Sequence, residues 1–167
     1  MALVYLGLGS NLGDRGANLA AARRGLAKLA DTVLIDNAPV YETSPVGGPS
    51  GQGNFYNSAC LVKTRLEPMD FLRATQELER AIGRVRERET SRWGPRVIDI
   101  DILLWGDSVV EEPDLVVPHP HLAERAFALM PLVDLDRDLL HPVLDMTVKE
   151  LLERIDLENE GIRRLPL

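Results

Sequence analysis

Within the nine residues Val97–Trp105, VIDIDILLW, isoleucine and aspartate alternate from Ile98 to Ile102. Alternation with period two marks a strand with one buried and one open face. It sends Ile98, Ile100 and Ile102 into a core and leaves Asp99 and Asp101 on the opposite side, roughly 6.5–7 Å apart along the strand. Aspartate is disfavoured in strands, and neighbouring like charges repel. The segment therefore demands a sheet packed on its isoleucine side, with either solvent or a cation answering the two carboxylates.

The rest of the chain supplies such a sheet. Ala2–Leu8 is short and almost continuously apolar, as a buried central strand is, and it stops at the turn formers Gly9-Ser10-Asn11-Leu12-Gly13-Asp14. A helix is expected to follow to about Ala30, with Leu19, Arg23, Leu26 and Leu29 at three-to-four spacing. Thr32–Glu42 reads as a second strand interrupted near Pro39, and Phe55–Arg65 as a third. A loop rich in Gly, Pro and Ser, Thr43–Asn54, separates them. Pro68 suits a helix start, Phe71, Leu72, Thr75, Leu78 and Ile82 form its apolar stripe, and Gly83 suits its C-cap. The order strand-helix-strand-strand-helix-strand predicts an α+β fold with a ferredoxin-like βαββαβ core, an antiparallel sheet with both helices on one face. Beyond it, short strands are expected at Val109-Val110 and Leu115–Val117 and a helix over Leu122–Leu132. A capping box, Thr147-Val148-Lys149-Glu150, opens a last short helix through Arg154. This C-terminal helical and short-strand extension completes a single expected domain, 1–167.

Composition narrows the function. With 45% hydrophobic and 27% charged residues, the chain is neither fibrous nor largely disordered. No apolar run approaches the ~20 residues of a membrane span, and no basic residue precedes the first apolar stretch, so neither a span nor a signal peptide is expected. The single cysteine, Cys60, rules out an internal disulfide and a C-x-x-C zinc site and fits the cytoplasm. A net charge of −7 argues against nucleic acid as a partner. Yet five of the nineteen basic side chains fall between Arg84 and Arg96 (RVRERETSRWGPR), which points to a small anionic ligand there.

That cluster leads directly into the acidic strand. Magnesium prefers oxygen ligands and commonly takes one or two carboxylates plus substrate phosphates, and two such ions ~3.5–4 Å apart clamp an in-line phosphoryl displacement. The guanidinium fork suits phosphate. Asp99 and Asp101 beside Arg84, Arg86, Arg92 and Arg96 therefore suggest a polyphosphate substrate such as a nucleoside triphosphate. Each residue also has a plainer reading. The strand face and the arginines suit solvent, with Glu87 and Glu89 as partners, and Trp93 suits a loop anchor as well as a stacking surface. Phe127 suits the core, His119, His121 and His141 sit beside prolines in structural or surface positions, and Gln76 and Glu79 suit a solvated helix face. No Walker motif and no Ser-His-Asp arrangement is present. A nucleotidyltransferase also uses paired aspartates, and a non-catalytic RNA-binding module uses the same fold, although 5% aromatic residues and an acidic charge serve the latter poorly.

The segment Arg92–Leu104 (RWGPRVIDIDILL) resembles the most diagnostic motif of the 6-hydroxymethyl-7,8-dihydropterin pyrophosphokinase family. Gly9-Ser10-Asn11, Tyr41–Gly47 (YETSPVG), Phe55-Tyr56-Asn57 and Val117–Phe127 (VPHPHLAERAF) agree with it in order, and the resemblance runs essentially from Val4 to Pro142. It implies a monomeric, magnesium-dependent enzyme of tetrahydrofolate biosynthesis. ATP would give its terminal pyrophosphoryl group to the hydroxymethyl oxygen of 6-hydroxymethyl-7,8-dihydropterin, and AMP would leave. By resemblance, Asp99 and Asp101 bridge two magnesium ions brought with ATP, and Arg84, Arg86 and Arg96 complete the catalytic set. Gln76, Glu79, Arg86, Arg92, Arg96, Ile102, His119 and Arg125 would neighbour ATP. Gly9, Asn11, Thr43, Val46, Phe55 and Asn57 would hold the pterin, sandwiched between Trp93 and Phe127. Departures are Glu87 where some members have lysine, Asp114 and Val116 where some have arginine and threonine, and Phe55 for a tyrosine. The loop from Glu87 to Ser91 is slightly longer than in some members.

Overall fold

The computed structural model describes residues 1–86, 89, 94–158 and 160–166. The N-terminal apolar run becomes β1 (Ala2–Ser10), which extends through the first turn formers and sits inside the sheet. It pairs antiparallel with β4 (Phe55–Thr64) on one side and β5 (Asp99–Trp105) on the other. β4 in turn pairs with β2 (Thr32–Asn37) and β3 (Tyr41–Thr43). The expected strand Thr32–Glu42 is thus two strands, parted around Pro39, which has no N–H to give to a ladder. A C-terminal strand, β10 (Ile162–Arg164), adds to β3. The sheet order is β10-β3-β4-β1-β5, with β2 also on β4.

α1 (Arg15–Ala27) starts where the Asp14 side chain accepts from the Ala17 N–H, and it stops short of the expected Ala30. α2 (Pro68–Ile82) opens on its proline and closes on Gly83, whose φ of 125° favours glycine. Leu19, Ala22 and Leu26 of α1 and Phe71 of α2 cover the sheet face formed by Val4, Leu6, Leu8, Ile100 and Ile102. The isoleucine side of β5 is therefore packed as its alternation requires. Leu6, Leu19, Leu26 and Phe71 are fully buried, each such side chain stabilising by about 1.5–3 kcal/mol. Phe71 meets Trp105 edge to face at 5.6 Å.

The other face is covered at one end only. Tyr5, Ala59 and Leu104 pack under α3 (Ala126–Leu135) and α4 (Val148–Glu153). The helix expected over Leu122–Leu132 is two pieces, a 3₁₀ turn at Leu122–Glu124 and α3, because the backbone of Arg125 is extended (φ −113°, ψ 98°). The Tyr41 hydroxyl donates to Asp134 and ties α3 to β3, and burial together with that bond pushes the phenol up to about 12. α4 starts at the expected capping box, with Thr147 and Glu150 satisfying each other's backbone N–H. Two hairpins complete the chain's described part, β6 (Val110–Glu112) with β7 (Leu115–Val117) and β8 (Leu140–His141) with β9 (Met146–Thr147). β8, β9 and β10 are two or three residues long, too short to show a period in the sequence. Among the described residues no helix is long and apolar enough to cross a membrane.

Candidate active site

The register of β1 against β5 sets Gly9 opposite Asp99 and Gly7 opposite Asp101. Directly opposed residues of an antiparallel pair share a face. Both carboxylates therefore stand on the sheet face that α3 and α4 leave uncovered, beside two residues with no side chain. Leu103 is the extra residue of a bulge between the Leu6–Ile102 and Tyr5–Leu104 pairs. A cavity of about 580 Å³ opens here. Because β5 is the last strand of the sheet, the cavity runs round its edge. Its lining includes Gly7, Gly9, Asn57, Asp99 and Asp101 from one face, and Ile100 and Ile102 with Leu72, Gln76 and Glu79 of α2 from the other.

The two lobes differ in chemistry. On the sheet face, Thr43, Ser44, Val46, Phe55, Asn57 and Phe127 surround a flat floor. Asn57 Nδ2 donates to Thr43 Oγ1 at 2.6 Å, which fixes the amide and leaves its oxygen over Gly9. A Cβ on Gly9 would lie 2.8 Å from Asn57 Oδ1, and one on Gly7 would lie 3.2 Å from Leu103 Cδ1, so the floor depends on both glycines. Round the strand edge the lining is charged, with Arg84, Arg86, Arg96, His119, His121 and Arg125.

Glu79 anchors the charged lobe. Its Oε2 accepts from Arg84 Nη1 at 2.8 Å and from the Ile100 N–H at 2.9 Å, and its Oε1 accepts from Arg86 Nη2 at 2.8 Å. The solvated helix face expected for Glu79 is thus corrected: the residue is 1% exposed, drawn inward by two guanidinium groups and a strand N–H. Burial raises its carboxyl above the usual range against the opposing pull of Arg84. Arg84 also meets Asp99 Oδ1 at 3.0 Å and takes Glu89 in its fork, Nε at 2.9 Å and Nη2 at 3.1 Å. Burial works against its charge, but the Glu89 bond and the Asp99 and Glu79 charges hold the guanidinium above its ordinary range. Glu89 also lies 3.4 Å from Arg96 Nε. Burial, and then the Asp99 charge, push the Asp101 carboxyl well above the usual range, with Arg125 opposing.

All the candidates among the described residues line this cavity except Asn11, whose side chain reaches into the flanking loops. Arg92, Trp93 and Glu87 lie outside the described residues. Asp114 and Val116, the departing positions of β7 and its turn, line the charged lobe. Gly7, Ser44 and Leu115, outside the sequence-predicted set, also line the cavity. The signal for Gly7 is the antiparallel pairing of the first and last core strands, which sets a glycine opposite Asp101.

Paired carboxylates among arginines, next to a flat hydrogen-bonding floor, define an enzyme that handles phosphate groups beside a planar ring. The chain belongs to the 7,8-dihydro-6-hydroxymethylpterin-pyrophosphokinase family, which it matches over residues 5–137. It is 42% identical over 163 residues to the 2-amino-4-hydroxy-6-hydroxymethyldihydropteridine pyrophosphokinase of Pseudomonas aeruginosa, covering 98% of this chain and 96% of that one. It is 39% identical over 161 residues to the folic acid synthesis protein fol1 of Schizosaccharomyces pombe, covering 96% of this chain but only 21% of that protein's length. The fold is shared with the crystal structure of wild-type Plasmodium falciparum HPPK-DHPS with SDX-DHP, at a TM-score of 0.73 and 16% identity, over 98% of this chain and 47% of that one.

Proposed function

We propose that the cavity transfers the pyrophosphoryl group of ATP to the hydroxymethyl oxygen of 6-hydroxymethyl-7,8-dihydropterin. The activity is the family's: the chain is a pyrophosphokinase of folate biosynthesis. The observation that carries the reading of the site is the placement of Asp99 and Asp101 on the open face of an edge strand, between the arginine-lined lobe and the flat one. The ferredoxin-like reading of the core rests on the strand order β5-β1-β4-β2, with a helix after β1 and another after β4.

The pterin ring would lie over Gly7 and Gly9, with the Asn57 amide and Thr43 at its polar edge and Phe127 against a face. The triphosphate would lie along the edge of β5, with the arginine side chains at its oxygens. In the transfer, a bond forms between the hydroxymethyl oxygen and the β-phosphorus. The bond from that phosphorus to the oxygen of the α-phosphate breaks, AMP leaves with that oxygen, and the hydroxyl proton passes to solvent. Arg84, held by Glu79 from behind, and Arg86 and Arg96 would meet the charge that develops on the moving phosphates. Gln76, Ile102, His119 and Arg125 would line the nucleotide.

The carboxylates suit magnesium. They form an all-oxygen donor pair on one face, and Asp101 pays for burial and for Asp99's charge, a situation that a bound cation relieves. Among the described residues no cluster of three or more His, Cys, Asp or Glu could hold an ion unaided, so phosphates and water would complete the coordination. When bound, two magnesium ions would neutralise and orient the phosphate oxygens. The test is product analysis with ATP, magnesium and the pterin. AMP release that depends on the pterin is expected. Release of pyrophosphate, with AMP left on the acceptor, would identify a nucleotidyltransferase instead.

A further inference from the structure

Successive side chains of a strand leave by opposite faces. Thr43, Phe55 and Asn57 line the flat lobe, so Glu42 and Tyr56, which alternate with them, stand on the back of the same two strands. The register of β3 against β4 sets Glu42 directly opposite Tyr56. Arg15, the first residue of α1, lies over this pair. Its Nη1 donates to Glu42 Oε2 at 3.1 Å and to the carbonyl of Asn54, the residue before β4, at 2.9 Å. Its guanidinium carbon stands 3.9 Å from the centre of the Tyr56 ring. Arg15, Glu42, Asn54 and Tyr56 all lie outside the cavity lining.

The structure assigns Arg15 as a positioning residue that fixes the pterin floor from behind. This rests on the assignment of the flat lobe to the pterin. β3 pairs with β4 over three positions only, so its backbone ladder alone holds it weakly. The 2.6 Å bond from Asn57 to Thr43 crosses this same short ladder, and its geometry depends on how far β3 stands from β4. Arg15 ties β3 to the start of β4 through one nitrogen while its plane rests on the ring between Phe55 and Asn57. A planar guanidinium can do this, whereas the point charge of lysine cannot stack in the same way. A binding constellation tolerates displacements of only about 0.5 Å. Loosening the back of the floor therefore costs pterin affinity without touching the phosphate lobe.

The test is initial-rate kinetics with each substrate varied. Arg15→Met should raise KM for the pterin about fivefold or more, with kcat and KM for ATP within about twofold. Should that variant not fold, Arg15→Lys, which keeps the charge but not the plane, should raise the same KM about threefold. Arg163→Met is the control. Arg163 Nη2 donates to the other oxygen of Glu42 at 2.7 Å from a more exposed position, and its loss should leave all three constants within about twofold. An unchanged pterin KM in both Arg15 variants would overturn the positioning role and leave the function standing. So would an equal rise in Arg163→Met, which would mark Arg15 as a merely structural ion pair. Absence of turnover of the pterin by the unaltered protein would overturn the function itself.

Discussion

Glu79→Gln changes one buried atom from acceptor to donor while keeping the side chain's shape, and its cost follows from the contacts. With the amide oxygen at the Oε2 position, the bonds from Ile100 N–H and Arg84 Nη1 survive. The Arg84 bond drops from an ion pair to a hydrogen bond with one charged partner, a loss of about 1–1.5 kcal/mol. Arg84 keeps Glu89 and Asp99, so its charge is not orphaned. The new NH₂ faces Arg86 Nη2, but that guanidinium is 46% exposed and water replaces most of the lost contact, leaving about 0.5 kcal/mol. The total is about 2 kcal/mol. Glu79→Leu leaves the Ile100 N–H without its acceptor and removes a buried charge from Arg84, and about 3–5 kcal/mol is expected. Urea unfolding at neutral pH measures both, with the midpoint falling and the slope unchanged. Losses under about 0.5 kcal/mol in both variants would refute the reasoning, because they would mean that ionising Glu79 in its buried setting gives nothing back.

Three further outcomes are expected. Gly9→Ala forces the Asn57 amide off Thr43 and should raise KM for the pterin about tenfold or more, with a smaller change for ATP, read from initial rates with each substrate varied. Glu89→Gln weakens the internal carboxylate that fills the Arg84 fork beside Arg96, and calorimetry should show ATP binding several-fold tighter, by about 0.5–1 kcal/mol. His141 accepts from the N–H groups of Val143 and Leu144 through Nδ1, and burial holds it below its ordinary value of 6.5. That stability is present above pH 6.5 and is lost as the pH falls through the lower folded value, so the urea midpoint of the unaltered protein should fall on acidification by more than that of His141→Gln.

What the sequence made legible follows the range of the interactions involved. The face shared by Asp99 and Asp101 is fixed by a period of two over five residues, and the caps at Gly83 and Thr147 are fixed within a single turn. The α2 pattern shows which residues face the core by apolarity alone, so it could not reveal Glu79, whose burial is decided by Arg84, Arg86 and the N–H of Ile100 in another strand. The same holds for Asn11, whose partners Gln52, Gly53 and Arg96 belong to two separate loops. The open end of the sheet is equally long-range, since it exists because α3 and α4 stop over Tyr5 and Leu104.

Asp99 and Asp101 are the proposed seat of a magnesium-bound triphosphate. Calorimetric titration of ATP into the unaltered protein and into Asp99→Asn and Asp101→Asn, with and without magnesium, tests it directly. ATP affinity should rise at least tenfold with magnesium in the unaltered protein and respond by less than about twofold in either variant, with circular dichroism unchanged. An equal response to magnesium in all three proteins would contradict it.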